Sequence, residues 1–294
     1  MNRKTAVTGS LTIAGMQFRW GQRTYIMGII NVTQDSFSGD GVGLDVDAAV
    51  QQAVRFQEDG ADIIDVGGQS TRPPGRMYGQ GAADVTPEEE AQRVVPVIKR
   101  LAAILRIPVS VDTFRADVAR RALDAGASML NDVWSLHRDP ALARLAADAG
   151  VPIILMHNQD GYAYRDLMRD ITSSLRLSIQ NAQTSGVSAD KIIVDPGIGF
   201  GKETAQSLEM LRRLDEFKAA LGRPVLVGTS RKSHIGRVLG GLPPQDRLEG
   251  TAATVALAIA GGADIVRVHD VKYMARVARM ADAIVRGWRE EDVQ

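Results

Sequence analysis

DGADIIDVGGQSTRPPG, at residues 59–75, contains the pattern that decides the fold. A helical pattern precedes it and stops at Gly60, where glycine supplies the left-handed residue that ends a helix before a tight turn. The apolar run that follows is continuous rather than alternating, as in parallel strands covered on both faces. Two glycines and two prolines then lead into a loop. The stretch predicts a helix end, a buried parallel strand and a loop at the carboxyl end of that strand.

The same kind of apolar run recurs along the chain. With 59–66, the runs lie at 24–32, 107–113, 125–133, 149–157, 191–197, 224–230 and 261–270. Segments with helical spacing separate them, so strands and helices alternate eight times. This count, at this chain length, favours an α/β fold consisting of a single (β/α)8 TIM barrel. A doubly wound open sheet is the alternative architecture.

The sequence also predicts how the chain divides. We expect an N-terminal extension at 1–23, in which residues 11–23 form a short β-hairpin that seals the bottom of the barrel. The barrel itself is expected over 24–290, as one domain without a linker. Within it, Thr86 is placed to cap a helix that begins with Pro87, a residue well suited to the first helical position.

Composition excludes several classes of protein. The chain has 294 residues, with 35 lysines and arginines balanced by 35 aspartates and glutamates. No global field would therefore draw it to nucleic acid or to an anionic membrane. The absence of cysteine excludes disulfides, thiolate zinc sites and a cysteine nucleophile. No apolar stretch is long enough to span a bilayer, so we expect a cytoplasmic protein.

Polar residues follow the predicted strands at their carboxyl ends, where the active site of a TIM barrel forms. In strand order they are Asn31; Gln69, Ser70, Thr71 and Arg72; Asp112; Asn131 and Asp132; His157 and Asn158; Asp195; Ser230, Arg231, Lys232 and Ser233; and Arg267, His269 and Asp270. A single Asp or Asn in such a place is more often a turn former or a helix cap. Eight strands that all end this way favour a binding site.

The last two strands indicate an anion site. Arg267 and His269 alternate along a strand and therefore point to the same side. Arg231 and Lys232, one strand away, add positive charge. This chemistry suits a phosphate-bearing substrate held by cations, with a flat polar ring held by carboxylates and amides.

Two other motifs are weak. "DPGIGFGKE" (195–203) lacks the first glycine of a phosphate loop, and Glu203 stands where Ser or Thr must bind magnesium. The four histidines lack the spacing of a histidine-rich zinc site. The glycines of 197–201 instead let the backbone approach a flat ligand, on which Phe200 could stack.

Taken together, these residues resemble the dihydropteroate synthase family of pterin-binding barrels over about residues 24–272. The resemblance rests on eight motifs in order: "IMGIINVTQDSFS", "GADIIDVGGQSTRPPG", "SVDT", "LNDV", "LMH", "IIVDPGIGFGK", "PVLVGTSRKSHIG" and "RLEGTAATVALAIAGGADIVRVHDV". It implies an enzyme that joins 4-aminobenzoate to 6-hydroxymethyl-7,8-dihydropterin diphosphate, with release of diphosphate.

The resemblance also implies site residues. For the pterin diphosphate they are Thr71, Arg72, Asp112, Asn131, Met156, Asp195, Phe200, Lys232, Arg267 and His269. The catalytic residues among them are Asp112, Asp195, Lys232, Arg267 and His269. For 4-aminobenzoate the family pattern implies Phe37, Pro73, Phe200 and Ser233. Asn31 would hold Mg²⁺ together with the substrate phosphates, and the family suggests a homodimer.

The chain departs from the family pattern in its first two loops. Gln34 replaces a proline, Asp40 is displaced by one position, and Gln69 stands where the family usually has glutamate. Two alternatives remain open: a methyltransferase of the same barrel family that acts on methyltetrahydrofolate, and a catalytically weak pterin-binding homologue.

Overall fold

Eight parallel strands form the central sheet, and a separate antiparallel hairpin lies beneath it. The computed structural model describes residues 9–32, 45–69 and 85–288. Its strands are β1 (Gly9–Ile13), β2 (Met16–Trp20), β3 (Tyr25–Asn31), β4 (Ile63–Gly67), β5 (Val109–Asp112), β6 (Met129–Asp132), β7 (Ile153–Met156), β8 (Ile192–Asp195), β9 (Leu226–Gly228) and β10 (Ile265–Val268). The helices in this part of the chain are α1 (Val46–Glu58), α2 (Pro87–Ile104), α3 (Ala116–Asp124), α4 (Ala141–Ala149), α5 (Leu167–Thr184), α6 (Thr204–Arg212), α7 (Leu214–Leu221), α8 (Ser233–Val238), α9 (Leu248–Ala260) and α10 (Val271–Arg286).

The parallel strands close into a barrel. Their order is β8-β7-β6-β5-β4-β3-β10-β9. The two outermost strands of this order meet through a parallel bridge between Val194 and Val225, and the Val194 N–H donates to the Pro224 carbonyl at 2.9 Å. The structure therefore confirms the predicted TIM barrel rather than the open sheet.

Local signals fix the helix ends as the sequence predicts. Thr86 and Glu89 form a reciprocal capping box at the start of α2, with Pro87 as the first helical residue. Glycines follow α1, α3, α4 and α9 before the next strand. Gly60, Gly126, Gly150 and Gly262 have φ of 101°, 109°, 66° and 96°. A residue with a side chain would be strained there, so glycine sets the point at which each helix turns back.

The interior of the barrel changes character from bottom to top. Its lower layer is apolar and consists of Met27, Ile63, Met129, Ile154, Ile193, Leu226 and Ile265. Leu11, Ile13, Phe18 and Trp20 of the β1–β2 hairpin pack against this layer. The hairpin therefore closes the bottom of the barrel, as expected.

The same register places polar groups at the top. Side chains at every second position of a strand share a face. Two positions beyond the apolar layer lie Asp65, Asn131, Met156, Asp195 and Arg267. Strand pairing is in register, with Asp112 opposite Asn131 and Met156 opposite Asp195. One alternation thus builds both an apolar base and a polar mouth.

The domain limits of 1–23 and 24–290 remain a prediction, because residues at both ends of the chain lie outside the described ranges. Within those ranges, no helix is long and apolar enough to cross a membrane.

The hairpin offers a test of how much the base of the barrel stabilises the fold. Phe18 is fully buried, and we expect Phe18→Ala to lower the free energy of unfolding by about 3–5 kcal/mol, because it removes a buried ring and leaves a cavity. Urea denaturation followed by circular dichroism measures the change. Thr12→Ala, an exposed position of the same hairpin, is the matched control, and equal losses for both variants would contradict a sealing role.

Candidate active site

A pocket opens at the carboxyl ends of the strands and is called the mouth pocket below. Its lining includes Asn131, Met156, Asp195, Phe200, Lys232, Arg267 and His269. The pocket is partly open to solvent, and its empty volume, which includes some of that solvent space, is about 410 Å³. Cations, a carboxylic acid, an amide and an aromatic ring therefore share one concave site.

Arg267 lies at the centre of a buried ionic network on one wall of this pocket. Its Nε donates to Asp65 Oδ2 at 2.6 Å, and its Nη2 donates to Asp112 Oδ2 at 2.7 Å. Asn131 Nδ2 donates to the same Asp65 oxygen at 2.9 Å. The network joins residues of β4, β5, β6 and β10, so the guanidinium is held in one orientation.

The network leaves acceptors unused. The Oδ1 atoms of Asp65 and Asp112 are buried and have no hydrogen-bond partner in the part of the chain that the structure describes. An unsatisfied buried acceptor is costly, and donors of a bound ligand can relieve that cost. Burial raises the pKa of Asp112 to about 7, although Arg267 acts in the opposite direction. Asp112 can therefore accept or donate a hydrogen bond near neutral pH.

The opposite wall pairs a carboxylic acid with a lysine. Asp195 Oδ1 accepts from the Gly197 N–H at 2.6 Å. Burial raises the pKa of Asp195, while the charge of Lys232 opposes this. Burial also lowers the pKa of Lys232 to about 8, and Asp195 opposes that shift. Each group thus favours the ionised form of the other, while burial favours the neutral form of both.

Lys232 also contacts the turn at 197–201. Its Nζ donates to the Ile198 carbonyl and lies 4.2 Å from the centre of the Phe200 ring. A cation over an aromatic face is electrostatically favourable. The turn therefore supplies both a polar and an aromatic contact to the lysine at the pocket.

His269 is held by Ser230, which lies two residues after the neighbouring strand β9. Its backbone N–H donates to Ser230 Oγ at 3.1 Å, and its Nδ1 lies 3.0 Å from the same oxygen. Burial lowers the pKa of His269 to about 3, and Arg267, Arg231 and Lys232 act in the same direction. The ring is therefore neutral at neutral pH while no ligand is bound.

Comparison with known proteins identifies the family of this site. The family model described as "Pterin binding enzyme" matches residues 27–269. The chain belongs to this family. The dihydropteroate synthase of Clostridium beijerinckii is 48% identical over 277 residues, which are 94% of this chain and 100% of that protein.

Solved structures similar to this chain support the same family assignment. The dihydropteroate synthase of Clostridium difficile, crystallised in the presence of pteroic acid, is 50% identical with a TM-score of 0.83, over 90% of this chain and 98% of its own. That of Xanthomonas albilineans with 4-aminobenzoic acid is 41% identical with a TM-score of 0.86, over 94% and 98% of the two chains. The family match thus extends over almost the whole chain.

The pterin-binding fold brings most of the residues named from the sequence together. Asn131, Met156, Asp195, Phe200, Lys232, Arg267 and His269 line the mouth pocket. Asp112 joins it through its ion pair with Arg267. Asn31 and Asp112 lie on either side of Gly67, since a Cβ there would be 3.9 Å from Asn31 Oδ1 and 3.7 Å from Asp112 Oδ2. Ser233 begins α8, directly after Lys232.

Some residues at the strand ends form hydrogen bonds with other protein groups. Arg231 forms a two-point ion pair with Asp270, with donor–acceptor distances of 2.6 and 2.9 Å. Asp132 accepts from the N–H groups of Trp134 and Leu136 and so caps a turn. The side chain of His157 contacts Lys202. Asp270 thus holds the Arg231 side chain, and the contribution of Arg231 to the anion site stays a prediction.

Several expected site residues lie outside the described residues: Thr71, Arg72, Phe37 and Pro73, together with the loop positions Gln34 and Asp40. Gln69 is the last described residue before this second loop. Its Oε1 accepts from Arg115 Nη1 at 2.7 Å, and the same nitrogen pairs with the buried Glu90. The neutral amide at 69 therefore avoids placing a second carboxylate on a guanidinium that is already paired.

Sequence reasoning missed two buried groups. Asp65 was available from the register, because it lies two positions after Ile63 of the apolar layer. Lys202 lies beyond β8 in a loop and gave no periodic signal. Its contacts depend on how two loops pack together.

The neutral state of His269 can be tested directly. We expect its ring resonances in a ligand-free NMR titration to stay unchanged between about pH 8 and pH 5, since burial and nearby cations lower its pKa. Added inorganic diphosphate should move any titration upward, because a nearby anion favours the charged ring. A midpoint in the ligand-free protein near the ordinary histidine value of about 6.5 would contradict this description.

Proposed function

We propose that the mouth pocket binds 6-hydroxymethyl-7,8-dihydropterin diphosphate and that the chain condenses it with 4-aminobenzoate to form 7,8-dihydropteroate and diphosphate. The observation that carries this proposal is the meeting of Asp195, Asn131, Lys232 and Arg267 in one pocket at the mouth of the barrel. A pterin needs acceptors and donors in one plane, and a diphosphate needs cations beside it. The named relatives and the two ligand-bearing structures support the same reaction.

The pterin ring would be recognised by its hydrogen-bonding edge. Adjacent N–H donors of the aminopyrimidinone suit a single carboxylate, and Asp195 offers one beside Lys232. Asn131 and Asp112 would form hydrogen bonds with the rest of the ring. Asp112 Oδ1, which has no partner among the described residues, can accept a hydrogen bond from a ring N–H. A ring with the wrong pattern would leave these buried groups unpaired, which gives strong selectivity. Met156 and Phe200 supply apolar contact with the ring faces.

The diphosphate would lie against Arg267 and His269. Asp65 and Asp112 use two of the five N–H donors of the guanidinium, so others can bind phosphate oxygens. Thr71 and Arg72 are expected to contact the same group. Because the two carboxylates fix the guanidinium, little rotational freedom is lost when the anion binds.

The reaction breaks the bond between the pterin methylene carbon and a diphosphate oxygen, and the bonding electrons leave with diphosphate. The amine nitrogen of 4-aminobenzoate uses its lone pair to form the new carbon–nitrogen bond and then loses a proton to solvent. An arylamine is uncharged at neutral pH, so no dedicated general base is required. Arg267, His269 and Lys232 would stabilise the leaving charge, while Asp112 and Asp195 would stabilise the electron-poor ring.

The second substrate is proposed to bind at the outer side of the mouth pocket. Phe200 offers a ring for stacking. Ser233, at the start of α8, would bind the carboxylate of 4-aminobenzoate through its hydroxyl group. Phe37 and Pro73 are expected to cover the other face.

The residues present are compatible with a magnesium ion that is bound jointly by the protein and by the substrate diphosphate. Among residues 9–32, 45–69 and 85–288, no cluster of three or more His, Asp or Glu side chains could hold a metal ion. Magnesium keeps most of its waters and is often bound by few protein groups plus phosphate. The Asn31 amide oxygen, at the carboxyl end of β3, would be its protein ligand. The ion would supply charge neutralisation on the diphosphate oxygens.

The two alternative functions have less support. A methyltransferase acting on methyltetrahydrofolate would not need the cations at the diphosphate position. A binding-only homologue would not need the fixed Arg267 network. We also propose a cytoplasmic location, as expected for an enzyme of this reaction.

The proposed reaction has a direct test. Purified protein with the dihydropterin diphosphate, 4-aminobenzoate and Mg²⁺ should form dihydropteroate and an equal amount of diphosphate, and a metal chelator should stop it. Asp195→Asn and Lys232→Ala should each weaken pterin binding about 10- to 100-fold, because each leaves a buried group unpaired. Liquid chromatography measures product, and calorimetry measures binding.

The exposed positions Asp117 and Lys99 supply matched controls. Asp117→Asn and Lys99→Ala make the same chemical changes outside the pocket and should leave both measurements unchanged. Absence of product from the wild-type protein would refute the proposed reaction. Unchanged pterin affinity in both pocket variants would refute the proposed site.

We further propose a homodimer formed through α9 and α10, which pack side by side. Leu257, Tyr273, Met280 and Ile284 on these helices are between 51% and 71% exposed. Tyr273, Met280 and Ile284 lie seven and four residues apart, on one face of α10. Such a contiguous apolar stripe is typical of a protein–protein interface.

We expect light scattering to give the mass of a dimer for the wild type and of a monomer for Met280→Asp/Ile284→Asp, because buried unpaired charges oppose association. Leu177→Asp, at an exposed apolar position of α5, should leave the dimer intact. A monomeric wild type, or dissociation by the Leu177 variant alone, would refute this interface.

A further inference from the structure

The turn at 197–201 lies tightly against the segment that follows β7. Gly197, Gly199 and Gly201 have φ of 67°, 79° and 53°. A Cβ on Gly197 would be 1.9 Å from the His157 carbonyl oxygen, and a Cβ on Gly201 would be 2.7 Å from the Gln159 carbonyl oxygen. Both ends of the turn therefore touch backbone of the β7 loop, with no room for a side chain.

Lys202 is buried beneath this turn and donates hydrogen bonds to its backbone. The residue is only 5% exposed, and its Nζ lies 3.0 Å from each of three acceptors: the Gly197 carbonyl, the Phe200 carbonyl and His157 Nδ1. An ammonium group has three N–H donors and no acceptor, so the three contacts use its full capacity. With Lys202 as an ammonium group, His157 presents its Nδ1 lone pair. Burial together with Lys202 lowers the pKa of His157 to about 3, and burial lowers the pKa of Lys202 to about 7.

The turn carries contacts that matter in the mouth pocket. Ile198 supplies the carbonyl that accepts from Lys232, and Phe200 supplies the ring beneath the same ammonium. Lys202 is not among the residues that line the pocket. It can therefore affect a ligand through the turn that it holds, and its charge also acts on Asp195.

Two other hydrogen bonds hold the outside of the turn. Tyr164 Oη donates to the Gly201 carbonyl at 2.7 Å, and the Gly199 N–H donates to Ser207 Oγ at 3.2 Å. Neither joins the two ends of the turn. Within the turn, the Phe200 N–H donates to the Gly197 carbonyl at 3.0 Å. Lys202 contacts these same two residues and connects them to His157 of the β7 loop.

We propose that Lys202, hydrogen-bonded to His157, is a positioning residue that fixes the 197–201 turn and thereby holds Lys232 and Phe200 where the pterin ring binds. This proposal rests on the proposed function of the mouth pocket. It gives Lys202 a role in pterin binding, although this lysine does not line the pocket.

The test uses the full-length protein with Lys202→Met, which keeps an unbranched side chain and removes the three donors. We expect the Kd for the dihydropterin diphosphate to rise by about 10- to 100-fold and kcat to fall, because small misplacements of binding groups have effects of this size. The KM for 4-aminobenzoate should change less than the pterin affinity. Calorimetry and steady-state kinetics measure these quantities.

Lys218→Met is the matched control. Lys218 is 3% exposed, and its Nζ donates to the Gly262 carbonyl and to Asp264, both at 2.7 Å. This lysine is thus equally buried and bonded, but at the bottom of the barrel, before β10. The control should lower stability and leave pterin affinity within about twofold, since distant sites act independently.

A double-mutant cycle separates positioning from general stability. If Lys202 acts through Lys232, then Lys202→Met should have little further effect on pterin affinity in a Lys232→Ala background, because the coupled contact is already lost. Fully additive losses would overturn the proposal. If Lys202→Met does not fold, His157→Phe removes one acceptor and should weaken pterin binding in the same direction.

The outcomes distinguish this proposal from the function on which it rests. A wild-type protein that neither binds the pterin nor forms product refutes the proposed function. An active wild type whose Lys202→Met or folded His157→Phe variant keeps wild-type pterin affinity refutes only the role of Lys202.

Discussion

The in-register pairing of eight parallel strands is the constraint on which the rest of this structure depends. Every second side chain of a strand faces the barrel interior, and neighbouring strands place these positions side by side. The alternation that buries Ile63, Ile154 and Ile265 at the base also delivers Asp65 and Arg267 to the mouth. The hairpin fills the bottom, so the polar end is the one open to ligand. Fold and site are consequences of the same register.

Burial gives the site its chemistry. Within the mouth pocket, desolvation shifts acids towards protonation and lysines towards neutrality, and opposite charges nearby resist both shifts. The pairs Asp195–Lys232 and Asp112–Arg267 are balanced in this way, which keeps strong donors and acceptors in a poorly solvated place. Such pairs contribute little net stability by themselves. Their fixed orientation before the ligand arrives suits selective recognition of a polar ring and an anion.

Other residues hold the side chains of the mouth pocket in place. The guanidinium of Arg267 is oriented by Asp65, and Asn131 is oriented by the same carboxylate. Lys202 holds the turn that contacts Lys232. The sequence analysis missed Asp65, although alternation along one strand would have been enough to place it. Lys202 could not be foreseen, because its three acceptors come from two loops whose packing is not periodic.

The sequence by itself determined the barrel, its hairpin and the identity of most residues at the mouth, because period, glycine stops and ordered motifs are local signals. It also marked Gln69 as unusual. Only the tertiary structure decided which polar side chains meet. Arg231 pairs with Asp270, while Gln69 accepts from Arg115 beside the buried Glu90. Such choices depend on distances of a few ångströms between residues far apart in the chain, and no local pattern encodes them.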